Sequence, residues 1–222
     1  EKPIVIDNTG IWRDENGLGR HINAGAQKVI LTAPGKDKIK NIVFGVNDSE
    51  LDVADSIISA ASCTTNAIVP VLKLVHDKYK ITSGHIETVH SYTNDQNLID
   101  NYHSGDRRGR SAALNMVITS TGAVSAVAKA IPELKGILTG NAIRVPTPNV
   151  SLAVMSLMLS EETTKEAIND FLKNNAFHSK FREILGYVNS PEIVSTDFYS
   201  SPFASIIDSQ ATIAKGKQVT LY

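Results

Sequence analysis

The chain has 222 residues, 22 Lys and Arg against 23 Asp and Glu, a formal net charge of −1, and 42% hydrophobic residues. That is enough apolar material for one large domain or two small ones, and the near-neutral balance argues against partners recruited by charge, whether nucleic acid or an anionic membrane. No run approaches the roughly 20 apolar residues that span a bilayer, residues 1–10 lack the apolar core of a signal peptide, and a single cysteine excludes an internal disulfide, so a reducing, cytoplasmic setting is expected.

In chain order, Pro3–Asp7 reads as a buried strand, Asn8-Thr9-Gly10 as a turn, and Leu18–Ala26 as a short helix with Ile22 on its inner face. Lys28–Thr32 is a continuous apolar strand broken by Ala33-Pro34-Gly35-Lys36, and Asn41–Val46 and Ser56–Ala60 read as two more. Apolar strands alternating with a helix form the parallel α/β pattern. A dinucleotide-binding domain would open on a strand, a G-x-G-x-x-G turn and a helix. Gly17-Leu18-Gly19 is the nearest match, but it follows no strand directly and lacks the third glycine, so it reads as a loop and helix start.

Next comes Ser62-Cys63-Thr64-Thr65-Asn66, holding the chain's one cysteine at a strand-to-helix turn. Free backbone N–H groups and the positive end of a helix favour thiolate over thiol there, and the thiolate is the nucleophile. A lone cysteine is more often a small buried hydrophobe, yet a collar of hydroxyls and amides is a poor core. The helix from Ala67 toward Lys80 puts Ile68, Leu72, Val75 and Tyr79 on one face, with Pro70 expected to kink or delay it. Gly84–Thr93 reads as a strand, residues 94–111 as a long polar, arginine-bearing segment of the functional or interface-forming kind, and Gly122–Ile131 as a short helix. Asn141–Val145 and Val150–Leu159 read as strands, and Thr163–Ala176 as a helix with Ala167, Ile168, Phe171 and Leu172 inward and a Thr163/Glu166 capping box. Ile193–Phe198, Ala204–Asp208 and Ala211–Ile213 complete the strands, and the chain stops within the apolar run Val219–Tyr222. Helices grouped against consecutive strands suggest an α+β domain with one sheet face covered.

His90 ends a strand and is followed by hydroxyl and amide residues, a context in which histidine can deprotonate a nearby cysteine. His21, His76, His85, His103 and His178 lack that context and read as structural, and no Cys/His set has metal-ligand spacing. Arg107, Arg108 and Arg110 cluster in the long segment, and Arg144 ends a strand. Arginine's planar fork suits phosphate, although Arg107 and Arg110 read as a solvated basic loop. Thr121-Gly122 opens a helix, a natural place for an anion.

Ala-Ser-Cys-Thr-Thr-Asn at 61–66 resembles the active-site segment of the phosphorylating glyceraldehyde-3-phosphate dehydrogenases. Thr88–Gln96, Ser120–Ala123 and Arg144–Ser151 match further segments of that family in order and approximate spacing. The resemblance implies Cys63 as nucleophile and His90 as base. It implies Thr93 and Arg144 at the substrate's phosphate, and Ser62, Thr64, Thr121, Gly122 and Arg108 at the attacking inorganic phosphate. Thr9, Gly10, Thr32 and Asn94 would lie along a nicotinamide cofactor, NAD, with NADP the alternative because Asn101-Tyr102 stands where many NAD-specific members have Leu-Pro. Glyceraldehyde 3-phosphate and inorganic phosphate are the implied substrates, no metal is implied, and residues 95–116 would meet a neighbouring subunit of a homotetramer.

The expected fold class is therefore α/β plus α+β: a partial Rossmann-type parallel sheet in residues 1–62, then a catalytic α+β domain with a mostly antiparallel sheet in 63–222. The first half of the dinucleotide-binding domain and the family's C-terminal tail are missing from the given sequence, so as written the chain should bind dinucleotide poorly. The rivals are an erythrose-4-phosphate dehydrogenase, disfavoured by Tyr92-Thr93, a non-catalytic truncated fragment, and a Cys/His thiol hydrolase that would leave the anion-binding residues unexplained.

Overall fold

The computed structural model describes residues 2–222. Strand β1 (Ile4–Asp7) is followed by α1 (Glu15–Asn23), β2 (Lys28–Leu31), β3 (Lys40–Asn41) and β4 (Ile57–Ser59). The four strands form one sheet in the order β1-β2-β4-β3, parallel throughout. Leu18 of α1 packs on Val29, Leu31 and Ile39 to make a small core of its own. Asp7, Leu31 and Ser59 are register partners, so the carboxyl ends of β1, β2 and β4 lie side by side.

After β4 come α2 (Cys63–Tyr79), β5 (Ile81–Ser91), β6 (Val117–Thr119), α3 (Ala123–Ala130), β7 (Leu138–Val145), β8 (Leu152–Leu159) and α4 (Lys165–His178). Strands β9 (Leu185–Val188), β10 (Ser205–Asp208), β11 (Ile213–Lys215) and β12 (Gln218–Leu221) complete the chain. The large sheet runs β11-β12-β8-β5-β7-β6, and only β5 and β7 pair in parallel. β9 and β10 form a separate parallel pair. The architecture is α/β followed by α+β. The main core joins α2 (Ile68, Leu72, Val75), α3 (Val127), α4 (Ile168, Leu172) and the sheet (Ile86, Leu157, Leu221). Among the described residues no helix is long and apolar enough to cross a membrane.

Several elements differ from the sequence reading. Helix α1 starts at Glu15, before the expected Leu18, because the Asp14 side chain accepts from Gly17 N at 2.7 Å and caps it. Gly17 and Gly19 therefore sit inside the helix. Asn41–Val46 is a strand only at its first residue: Asn47 Oδ1 takes Val43 N at 2.8 Å, and Val46 and Asn47 N both turn back to Val43 O. Helix α2 begins at Cys63 and runs through Pro70. Interior proline costs about 3 kcal/mol, but Ile68, Val71, Leu72 and Val75 are each at most 1% exposed and each contributes about 2 kcal/mol by burial, so packing wins.

The cap of α4 is Thr164, accepting from Ala167 N at 3.2 Å, because Thr163 N is committed to Gly216 O at 3.0 Å. Of the four residues expected inward on α4, Ile168 and Leu172 are buried and Phe171 packs at the core edge, whereas Ala167, in the first turn, is exposed. Ile193–Phe198 is not a strand. Asp197 Oδ2 accepts from Val194 N at 2.8 Å and closes a 3-10 turn over Ser195–Phe198. The strand expected at Ala211–Ile213 falls at Ile213–Lys215, hairpinned to β12.

Candidate active site

The parallel sheet delivers Cys63. β4 ends at Ser59, and Ala61 then adopts a left-handed conformation (φ 59°), unusual for a residue with a Cβ. That turn is pinned by Ala61 N on Ser59 Oγ at 3.0 Å and by Ala60 N on Leu31 O at 2.8 Å. Ser62 then caps α2, its Oγ accepting from Thr65 N at 3.0 Å. Cys63 is thus the first helical residue, exposed, with its thiol at the helix N-terminus.

The large sheet delivers the partners. In the parallel pairing of β5 and β7, His90 and Arg144 are register partners. His90 Nε2 lies 3.6 Å from Cys63 Sγ. His90 Nδ1 is 2.7 Å from the Ser91 carbonyl oxygen, which can only accept; in the tautomer that donates Nδ1–H there, Nε2 is free to take the thiol proton, and the neighbouring Arg144 Nη1 donates to Ser91 O rather than to Nδ1. Arg144 Nη1 sits 2.9 Å from Nδ1, 3.0 Å from Ser91 O and 3.4 Å from Thr93 Oγ1. Ser91 is itself locked: its N donates to Ser151 Oγ at 3.2 Å and its Oγ to Val150 O at 3.0 Å. Val150 holds φ 63°, a strained conformation for a β-branched residue. The hydrogen bond with His90, outweighing desolvation, lowers the Cys63 pKa to about 7, aided by the charge of His90 and by the Thr64 N–H. Burial and the nearby Arg108 lower the Arg144 pKa.

Arg108 reaches the same neighbourhood. It pairs with Asp95, donates Nε to Thr119 Oγ1 at 3.0 Å and Nη2 to Ser120 O at 3.4 Å. That ties it to the segment leading into Thr121 and Gly122 at the start of α3, where Thr121 Oγ1 accepts from Ala123 N at 3.2 Å. Thr64 Oγ1 lies 4.0 Å from Cys63 Sγ. Arg110 pairs with Asp100 in an exposed contact and makes no link to this group.

Thr9, Gly10 and Thr32 follow the carboxyl ends of β1 and β2, on the sheet edge from which Cys63 emerges. Asn94 is exposed on the loop after β5, next to Thr93. Gly10 (φ 72°) holds a left-handed conformation, and no described atom lies within 4 Å of where a Cβ would stand. A cavity of about 730 Å³ opens beside Cys63, lined among others by Thr64, His90, Thr93, Thr147, Asn149 and Phe198.

Three supporting groups were not singled out from sequence. They are Ser91, through its carbonyl; Asp95, the partner of Arg108; and Asp7, whose Oδ1 takes both Thr9 N (2.9 Å) and Thr9 Oγ1 (2.8 Å) while Oδ2 meets His21 Nε2 at 2.9 Å. Asp7 had a signal: an acid ending an otherwise apolar strand, directly before a turn. A backbone carbonyl leaves no signature in side-chain identity.

Residues 62–221 match the family model described as glyceraldehyde 3-phosphate dehydrogenase, C-terminal domain. The chain is 60% identical over 220 residues to a glyceraldehyde-3-phosphate dehydrogenase-like protein of Pseudomonas aeruginosa (strain UCBPP-PA14), covering 99% of this chain and 48% of that protein. It is 46% identical over 216 residues to the glyceraldehyde-3-phosphate dehydrogenase of Zymomonas mobilis (96% and 64% covered) and 47% over 213 residues to the chloroplastic enzyme GAPA1 of Arabidopsis thaliana (96% and 53%). The chain thus spans about half to two thirds of the length of these curated relatives. With the cysteine at the helix start, the histidine on its thiol and the arginine in register beside it, the chain belongs to the glyceraldehyde 3-phosphate dehydrogenase family, with residues 62–221 corresponding to the C-terminal domain.

Proposed function

We propose that the protein oxidises glyceraldehyde 3-phosphate to an acyl phosphate, with Cys63 as nucleophile and His90 as base. The observation that carries this reading is the 3.6 Å contact of Cys63 Sγ with His90 Nε2 at the start of α2. The Cys63 thiolate adds to the aldehyde carbon, the C=O π electrons pass to oxygen, and His90 Nε2 returns the thiol proton to that oxygen, forming a hemithioacetal. His90 Nε2 takes the hydroxyl proton as hydride leaves the same carbon, giving a thioester on Cys63. Inorganic phosphate attacks the thioester carbonyl, the C–S bond breaks, and the acyl phosphate departs with the thiolate restored.

Arg144 and Thr93 hold the phosphate of the aldehyde. Ser62, Thr64, Arg108, Thr121 and Gly122 hold the attacking phosphate, the last two at a helix N-terminus. Thr9, Gly10, Thr32 and Asn94 would hold the nicotinamide end of NAD, a placement supported by the crevice at the strand carboxyl ends. When bound, that cofactor accepts the hydride, which no side chain can do. Cytoplasmic residence keeps the exposed Cys63 reduced. Loop 95–116, which exposes Leu98, Ile99, Tyr102, Leu114 and Met116, meets a neighbouring subunit in a homotetramer.

The test is Cys63→Ser in the intact protein. Turnover with glyceraldehyde 3-phosphate, NAD and phosphate is expected to fall at least about a thousandfold, with the circular dichroism spectrum unchanged. Substantial residual turnover would remove Cys63 from the nucleophile's role.

A further inference from the structure

We infer that Gln96 is a positioning residue for the substrate-phosphate arm, its buried side-chain carbonyl holding the backbone of Thr93 beside Arg144. This rests on the proposed role of Thr93 and Arg144. The chain leaves β5 at Ser91 and turns at once. Thr93, Asn94 and Asp95 are exposed, whereas Gln96 is 4% exposed. Gln96 Oε1 accepts from Thr93 N at 3.0 Å, and Gln96 N donates to Thr93 O at 3.0 Å. Both backbone polar groups of Thr93 therefore end on one residue, closing a four-residue turn.

The other contacts of Thr93 are weaker. Its Oγ1 faces Arg144 Nη1 at 3.4 Å and Asp95 N at 3.4 Å. Distances at that limit fix little, so the two Gln96 bonds set where the hydroxyl stands. The other end of the Gln96 side chain points to the same conclusion. Among the described residues Nε2 is buried with no hydrogen-bond partner, an arrangement that costs free energy. Methionine would fill the space without that cost, so what glutamine adds is the acceptor oxygen on Thr93. Gln96 has no hydrogen bond to Cys63 or His90, whose geometry is held separately by Ser62 and by the Ser91 carbonyl.

The experiment compares the unaltered intact protein with Gln96→Met, which removes the carbonyl, and Gln96→Asn, which keeps an amide but retracts it by one methylene. For both variants kcat/KM with glyceraldehyde 3-phosphate is expected to fall about tenfold, the effect of one lost hydrogen bond, through KM. Non-phosphorylated glyceraldehyde should be oxidised at an unchanged kcat/KM, and the pH profile of Cys63 alkylation should not move. Equal losses on both aldehydes, a shifted alkylation profile, or failure of both variants to fold would make Gln96 a structural residue and overturn the inference. An unaltered protein that prefers the phosphorylated aldehyde, with variants that keep the preference, refutes Gln96 alone. An unaltered protein that oxidises neither aldehyde refutes the proposed function, and this inference with it.

Discussion

Cys63 and His90 interact across 27 residues of chain, and their contact fixes the state of the thiol. With the thiol pKa brought to about 7 by His90, half of it is thiolate near neutrality, against a few per cent for a free cysteine with pKa about 8.5. Iodoacetamide alkylation of the native protein is therefore expected to rise with pH through a midpoint near 7. In His90→Asn the midpoint should move up toward about 8.5, with alkylation at pH 7 about tenfold slower. An unmoved midpoint would assign the activation to the helix N-terminus instead. Cys63 stood out in the sequence by its polar collar, and His90 and Arg144 through the segments that resemble the family. The closeness of Arg144 to His90 was not legible, because it follows from the parallel register of β5 with β7, and nothing local to either residue specifies that register.

Between elements, the approach of α3 to the sheet decides where the Thr121-Gly122 turn stands. Gly140 lies mid-strand in β7, and a Cβ there would come 2.7 Å from Val124 Cγ2 of α3 and 2.8 Å from Ile86 O of β5. The helix packs directly on backbone at this point. Gly140→Ala should push α3 outward and cost about 1–3 kcal/mol, read as a lower urea midpoint with an unchanged slope. A midpoint equal to that of the unaltered protein would mean that Val124 yields freely. The periodicity of α2 and the strand character of β5, β7 and β8 were readable in the sequence, whereas several boundaries were not. Asp14, Asn47, Thr164 and Asp197 each use a side-chain oxygen to capture a backbone N–H. Such bonds compete with the hydrophobic pattern on equal terms over one or two residues.

At the scale of the molecule, two sheets are brought together around Cys63, and the smaller one depends on a buried acid. Burial acts to raise the pKa of Asp7, but hydrogen bonds from His21 and Thr9 outweigh it and hold the carboxyl below the usual carboxylate range. A lowered folded-state pKa contributes stability that is present above the unfolded value of about 3.9 and is lost as pH falls through the folded value. Unfolding monitored at fixed urea should therefore steepen below about pH 4. Asp7→Asn should flatten that acid limb, and an acid limb identical in the variant would show that other carboxylates account for it. His21 lies on α1, Asp7 and Thr9 on and just after β1, and Thr32 N bonds the Asp7 backbone carbonyl at 3.0 Å, so one residue, through its carboxylate and its main chain, ties together three pieces of the sheet's carboxyl edge.

The alternation of apolar strands and helices, the polar collar around the one cysteine, and the residue types suited to phosphate can all be read from the order of the residues. These are local properties, carried by spacings of two to four residues and by side-chain chemistry. Which of those residues meet is set by the packing of the folded chain. Arg144 reaches His90 across 54 residues because two strands pair in parallel. Cys63 stands beside them because a left-handed Ala61 turns β4 into α2. Register and turn handedness come from the packing of whole elements against one another, and a sequence pattern of period two or 3.6 is silent about both.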